Sequence, residues 1–74
     1  MTDKDITKLK DMGGNFDELR YLCRKDRKNR KKTNWNYMST KEVQTGQLNR
    51  FLNDNAGITE KVFESVRKWL IDNN

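Results

Sequence analysis

The chain has 74 residues, of which 16 are Lys or Arg, 11 are Asp or Glu and none is His, giving a formal net charge of +5. With 32% hydrophobic and 36% charged residues, residues 1–74 support at most one small domain. The same figures exclude a great deal. One Cys allows neither an internal disulfide nor a cysteine metal cage, the lack of His removes imidazole catalysis and imidazole zinc sites, and no apolar run reaches the length of a membrane span or a secretory leader. A lone thiol suits a reducing, intracellular (cytoplasmic) setting. No membrane, no cofactor and no small-molecule substrate is expected.

Three breaks, at Gly13-Gly14, Thr33-Asn34-Trp35-Asn36 and Asn55-Ala56-Gly57, leave four segments. The first runs from Thr2 to Met12. Thr2 can cap it, Asp3 and Asp5 suit a helix start, Ile6 and Leu9 form one stripe, and Gly13 ends it in the left-handed conformation. The second runs from Asn15 to about Lys31, with Asn15 as cap and Glu18 at the third helical position. Phe16, Leu19, Leu22 and Cys23 share one arc. Beyond Cys23 that arc carries Asp26 and Arg30, so the last two turns are expected to project into solvent. The third segment begins at Ser39 and ends near Asn53. Ser39 and Glu42 have the spacing of a capping box, Met38 and Val43 that of a hydrophobic staple, and Gly46 allows a restart at Thr45. The fourth runs from Thr59 to about Asp72, with Ile58 placed to staple onto Phe63.

Apolar residues recur at helical rather than alternating spacing, which predicts an all-α fold: three or four short helices around a single small core. Its expected members are Ile6, Leu9, Phe16, Leu19, Leu22, Trp35, Val43, Leu48, Phe51, Leu52, Ile58, Val62, Phe63, Val66, Trp69 and Leu70. Cys23 has cations near it but no His to act as base, and reads as a small core residue. The carboxylates are scattered with no catalytic pairing, so no enzyme is expected.

Charge is the strongest functional signal because it is uneven. Between Arg20 and Lys32 lie Arg20, Arg24, Lys25, Arg27, Lys28, Arg30, Lys31 and Lys32 against one anion, Asp26. Arg20, Arg24, Arg27 and Lys31 fall at i, i+4, i+7 and i+11, one cationic ridge on a helix. Phosphates offer a dense line of negative charge, and Arg adds bidentate contacts to phosphate or guanine. Trp35 and Tyr37 follow the block. Exposed beside cations they suit stacking on unpaired bases; alternatively Trp35 plugs the core.

Residues Gln47 to Leu70 resemble a helix-turn-helix, with Gly57 in the turn, Ile58 after it, and Phe63 and Val66 at the apolar positions of the second helix. The departure is Asn53, where that family prefers a small Ala. The resemblance implies that Thr59, Lys61, Ser65 and Lys68 face a DNA groove, with Glu60 and Glu64 opposing close phosphate approach. Abundant Asn and Lys without Pro also resemble the composition of small phage proteins. The expected function is non-enzymatic nucleic-acid binding, DNA more than RNA, as a small regulator or accessory factor to a larger replication, repair or transcription enzyme. The alternative is an interaction module or inhibitor whose basic helix docks on an acidic partner protein.

Overall fold

Each helix begins where a side chain can satisfy the free amides of its first turn. In the computed structural model, which describes residues 2–56 and 59–74, four α-helices and one short 3-10 turn follow in order, with no strand among the described residues. Helix α1 (Asp3–Asp11) starts at Thr2, whose hydroxyl accepts the Asp5 N–H at 3.2 Å while the Asp5 carboxylate accepts the Thr2 N–H at 3.3 Å. Helix α2 (Phe16–Asn29) starts at Asn15, whose side-chain oxygen accepts the Glu18 N–H at 3.1 Å. Helix α4 (Glu60–Asp72) starts at Thr59, whose hydroxyl accepts the Val62 N–H at 3.2 Å. Gly13 lies between α1 and α2 at φ 60°, as the turn requires.

Helix α3 (Thr45–Asn53) is shorter than its sequence predicts. The Ser39/Glu42 capping box does not form. Ser39 instead donates its hydroxyl to the Asn36 carbonyl, closing the 3-10 turn Asn36–Met38. The Thr40 hydroxyl accepts the N–H groups of Glu42 and Val43, making a side-chain turn that competes with helix. The helix restarts at Thr45, with Gln47 accepting the Gln44 N–H at 3.1 Å. Gly46 thereby falls in the first turn, where a helix tolerates it better than in its interior.

Helix α4 is the centre of the fold and packs against α1, α2 and α3. The buried core comprises Leu9, Leu19, Leu22, Cys23, Trp35, Met38, Val43, Leu48, Phe51, Leu52, Val62, Phe63, Val66 and Leu70. The expected core members Ile6, Phe16 and Trp69 are half-buried at its edge, and Ile58, with its staple to Phe63, lies outside the described residues. Phe16 sets its ring edge-on to Phe63 and Phe51, at centroid distances of 5.1 and 6.1 Å, geometry that adds to simple area burial.

Three arginines join the helices by a common device. Each reaches the carbonyl end of a different helix, where amide partners have run out and the helix dipole is negative. Arg20 Nε donates to the Phe51 carbonyl in α3 at 2.8 Å. Arg67 Nη1 donates to the Leu9 carbonyl in α1 at 3.0 Å. Arg30 Nη2 donates to the Asn73 carbonyl after α4 at 2.8 Å.

The last turns of α2 do not project into solvent. Asp26 is buried, and its carboxylate accepts hydrogen bonds from Arg30 Nε at 2.9 Å, the Tyr37 hydroxyl at 3.0 Å and the Asn74 side-chain amide at 3.3 Å. One carboxylate therefore ties α2, the 3-10 turn and the end of α4 together. Burial and the Asp26 charge push the Tyr37 hydroxyl up, keeping it protonated as a donor.

Helix α2 ends in a Schellman motif. The Lys31 N–H donates to the Lys28 carbonyl and the Lys32 N–H to the Arg27 carbonyl, both at 3.1 Å. Lys31 occupies the left-handed position at φ 57°, where Gly is favoured. Lys31→Gly is expected to raise stability by about 1 kcal/mol, read from the urea midpoint. A lowered midpoint would show that the lysine side chain holds the cap.

Candidate nucleic-acid interface

The basic block divides into cations consumed by the fold and cations left over. Arg20 is 4% exposed; besides the Phe51 carbonyl it pairs with Asp17 at 3.0 Å and lies over the Phe51 ring at 4.9 Å. Lys25 pairs with Asp5 of α1 at 2.9 Å. Arg30 pairs with Asp26 and lies over the Trp69 ring at 5.0 Å. The remaining block residues, Arg24, Arg27, Lys28, Lys31 and Lys32, have no carboxylate partner among the described residues.

This corrects the ridge expected from spacing. Arg20 sits at the border of the apolar arc, and its long apolar stem allows it to turn inward. Lys31 lies past the end of α2, in its cap. The exposed stripe on α2 is instead Tyr21, Arg24 and Lys28, at i, i+3 and i+7, continued by Lys31 and Lys32 beyond the helix end. Arg27 is half-exposed, with its guanidinium over the Trp35 ring at 4.2 Å.

Local physics explains why these charges tolerate one another. Arg27 and Lys28 are in the last turn of α2 and Lys31 and Lys32 follow it, so all face the negative end of the helix dipole, a gain of about 0.3–1 kcal/mol for each close cation. Two exposed charges one turn apart, about 6 Å, repel in water by about 0.7 kcal/mol before salt screening. The cluster is therefore compatible with the fold and still presents uncompensated positive potential at one end of one helix.

Trp35 does not contribute an exposed stacking face. Its indole is 1% exposed, and its N–H donates to the Asn53 side-chain oxygen at 2.9 Å. The plugging role is the one the structure displays. It also accounts for Asn53, the residue that departs from the helix-turn-helix pattern: the indole needs an acceptor there. Tyr37 is half-buried edge-on to Trp69, at 5.5 Å between centroids. The exposed aromatic is Tyr21, at 58%, which the sequence reading passed over although it lies opposite the apolar arc of α2.

Lys61 and Lys68 are exposed on α4 and, like the free block cations, make no ion pair among the described residues, but they line clefts of mixed charge. Lys68 lines an open cleft of about 290 Å³ with Lys41, Glu42 and Asp72. Lys61 lines another of about 340 Å³ with Glu42 and Glu64. The loop carrying Lys41 and Glu42 flanks the outward face of α4 that a groove-reading helix would insert. Thr59 and Ser65 are on the described part of this hairpin, whereas Gly57 and Ile58 lie outside it.

Two further groups complete the electrostatic picture. The Lys25 ammonium donating to Asp5 holds that carboxyl below its ordinary range, and the same contact raises Lys25. The pair therefore contributes stability through the neutral range. That contribution is lost as pH falls through the lowered Asp5 value and as pH rises through the raised Lys25 value. Cys23 is fully buried, and burial, with the Asp26 charge, pushes its thiol up. Iodoacetamide at neutral pH should leave Cys23 intact in the folded protein and modify it only after denaturation. Rapid modification of the folded protein would contradict the packing described.

Among the described residues, no helix is long and apolar enough to cross a membrane. Comparisons with protein-family models, with curated proteins and with solved structures return no match to this chain.

Proposed function

We propose that this protein is a non-enzymatic nucleic-acid-binding protein, with DNA the favoured ligand, that acts as a small regulator or as an accessory factor to a larger replication, repair or transcription enzyme. The observation that carries the reading is that five cations of the basic block, Arg24, Arg27, Lys28, Lys31 and Lys32, lie within nine positions of one another and remain without a carboxylate partner among the described residues once Arg20, Lys25 and Arg30 are paired. A phosphate backbone gives each of them a counter-charge and releases its own condensed ions, which supplies the driving force for binding. In this account α2 and its cap provide the affinity. The mixed charge around Lys61 and Lys68 supports at most a secondary contact for α4.

The same surface suits a second kind of partner, an acidic protein, because an exposed Tyr flanked by Arg is also the chemistry of protein interfaces. Bare nucleic acid separates the two. A gel-shift series with duplex DNA, single-stranded DNA and RNA is expected to give a shifted complex with at least one ligand at moderate salt. No complex with any of the three would overturn the nucleic-acid reading and leave the acidic-partner one.

A further inference from the structure

Tyr21 stands on the exposed face of α2 that carries Arg24 and Lys28, with its ring in solvent. It is the one exposed large hydrophobic side chain among the described residues, at 58%. Arg24 and Lys28 follow it on the same face of α2. At the other end of this face Asp17 is exposed and held by Arg20 at 3.0 Å, so the positive stripe begins at Tyr21 and runs toward Lys32.

Resting on the nucleic-acid reading, we propose that Tyr21 is a base-stacking residue and that the ligand of this face is single-stranded nucleic acid. The spacing supports it. Along a helix, Tyr21 to Arg24 spans about 4.5 Å and Arg24 to Lys28 about 6 Å. A flexible strand can lay one unpaired base on the Tyr21 ring and bring successive phosphates to Arg24 and Lys28, then to Lys31 and Lys32 at the helix cap. A duplex cannot do the same, since its bases are already stacked and paired and must be flipped out to reach the ring. On a duplex the cations would still meet phosphates, while Tyr21 would meet only backbone. Stacking on one aromatic is tolerant of base identity, so the site is expected to prefer single strands without reading a sequence.

The test compares Tyr21→Ala and Tyr21→Phe with the unaltered protein. The probes are oligo-dT, oligo-U of equal length and a duplex of equal length, with affinity read by fluorescence anisotropy. Tyr21 is exposed and helical, so neither variant disturbs the core. Tyr21→Ala is expected to weaken oligo-dT or oligo-U binding about tenfold and to change duplex binding less than twofold, while Tyr21→Phe keeps the affinity. Equal loss on all three probes, or no loss on the single strands, would overturn the stacking role. If Tyr21→Ala is silent but Arg24→Glu with Lys28→Glu weakens every probe, stacking fails and the phosphate-binding reading survives. If the unaltered protein binds none of the probes, both fail.

Discussion

Changing Arg24, Lys28, Lys31 and Lys32 together to Glu is expected to abolish nucleic-acid binding and to leave the helical circular dichroism spectrum in place. These side chains are exposed and make no ion pair among the described residues, so their removal takes nothing from the core. Each neutralised phosphate adds about 0.7–0.9 to the slope of log affinity against log salt. Four or five engaged cations therefore predict a slope of about −3 to −4.5 for the unaltered protein. Reversal makes the net charge negative, and repulsion replaces ion release. Glu at the end of α2 also opposes the helix dipole, by about 0.3–1 kcal/mol per close site. A matched variant with Gln at the four positions removes that complication and should still bind far more weakly than the parent. Arg27 is left alone because it covers Trp35. Arg20, which spacing alone would have placed in such a set, must be left as well: Glu there would set a carboxylate against the Phe51 carbonyl inside the fold. Retained affinity in the Gln variant would show that the block is not the binding surface.

Asp26→Ala is expected to be strongly destabilising, at about 3 kcal/mol. It strips the acceptor from Arg30, Tyr37 and Asn74 at once and leaves the half-buried Tyr37 hydroxyl without its partner. The Arg30 side chain is about one-third exposed, so water recovers part of its lost pairing and the figure falls at the low end of the range for broken buried pairs. For a chain this small the whole stability is of order 4–11 kcal/mol, so the variant should show a clearly lowered urea midpoint and partial unfolding on warming. Asp26→Asn keeps an acceptor oxygen and should fall between the two. A loss below about 1 kcal/mol in Asp26→Ala would contradict the role given to this carboxylate.

These substitutions mark where the sequence was legible. Helix number, order and most of the core follow from periodicity and from caps, because Thr2, Asn15, Thr59 and Gly13 act within their own turn. The start of α3 is not legible locally, because Ser39-x-x-Glu42 satisfies a capping rule that the Thr40 turn overrides. Spacing predicts one ridge for the basic block because it reports the face a residue leaves from, and not where a long side chain ends. Arg20 and Arg30 reach the carbonyl ends of helices 31 and 43 residues away in sequence, contacts that have no local signature. Asp26 and Arg30 on the apolar arc looked like a helix leaving the core. They are an ion pair, with Asp26 buried and Arg30 at the rim, that brings it back. Tyr21 needed only the complementary question, which residue faces away from the apolar arc among the cations.

The helix-turn-helix resemblance meets a physical difficulty of a different sort. Its second helix, α4, is the element on which α1, α2 and α3 all pack, and its outward face is flanked by Glu42, Glu64 and Asp72. The densest run of unpaired cations lies instead at the far end of α2, where the proposal places the polyanion.

The most direct test is an amide nuclear magnetic resonance titration of the labelled protein with a short oligonucleotide at low salt. The account predicts that the shifting signals cluster on Tyr21, Arg24, Arg27, Lys28, Lys31 and Lys32. Shifts gathered around Lys61, Ser65 and Lys68 instead, or none at saturating ligand, would contradict it.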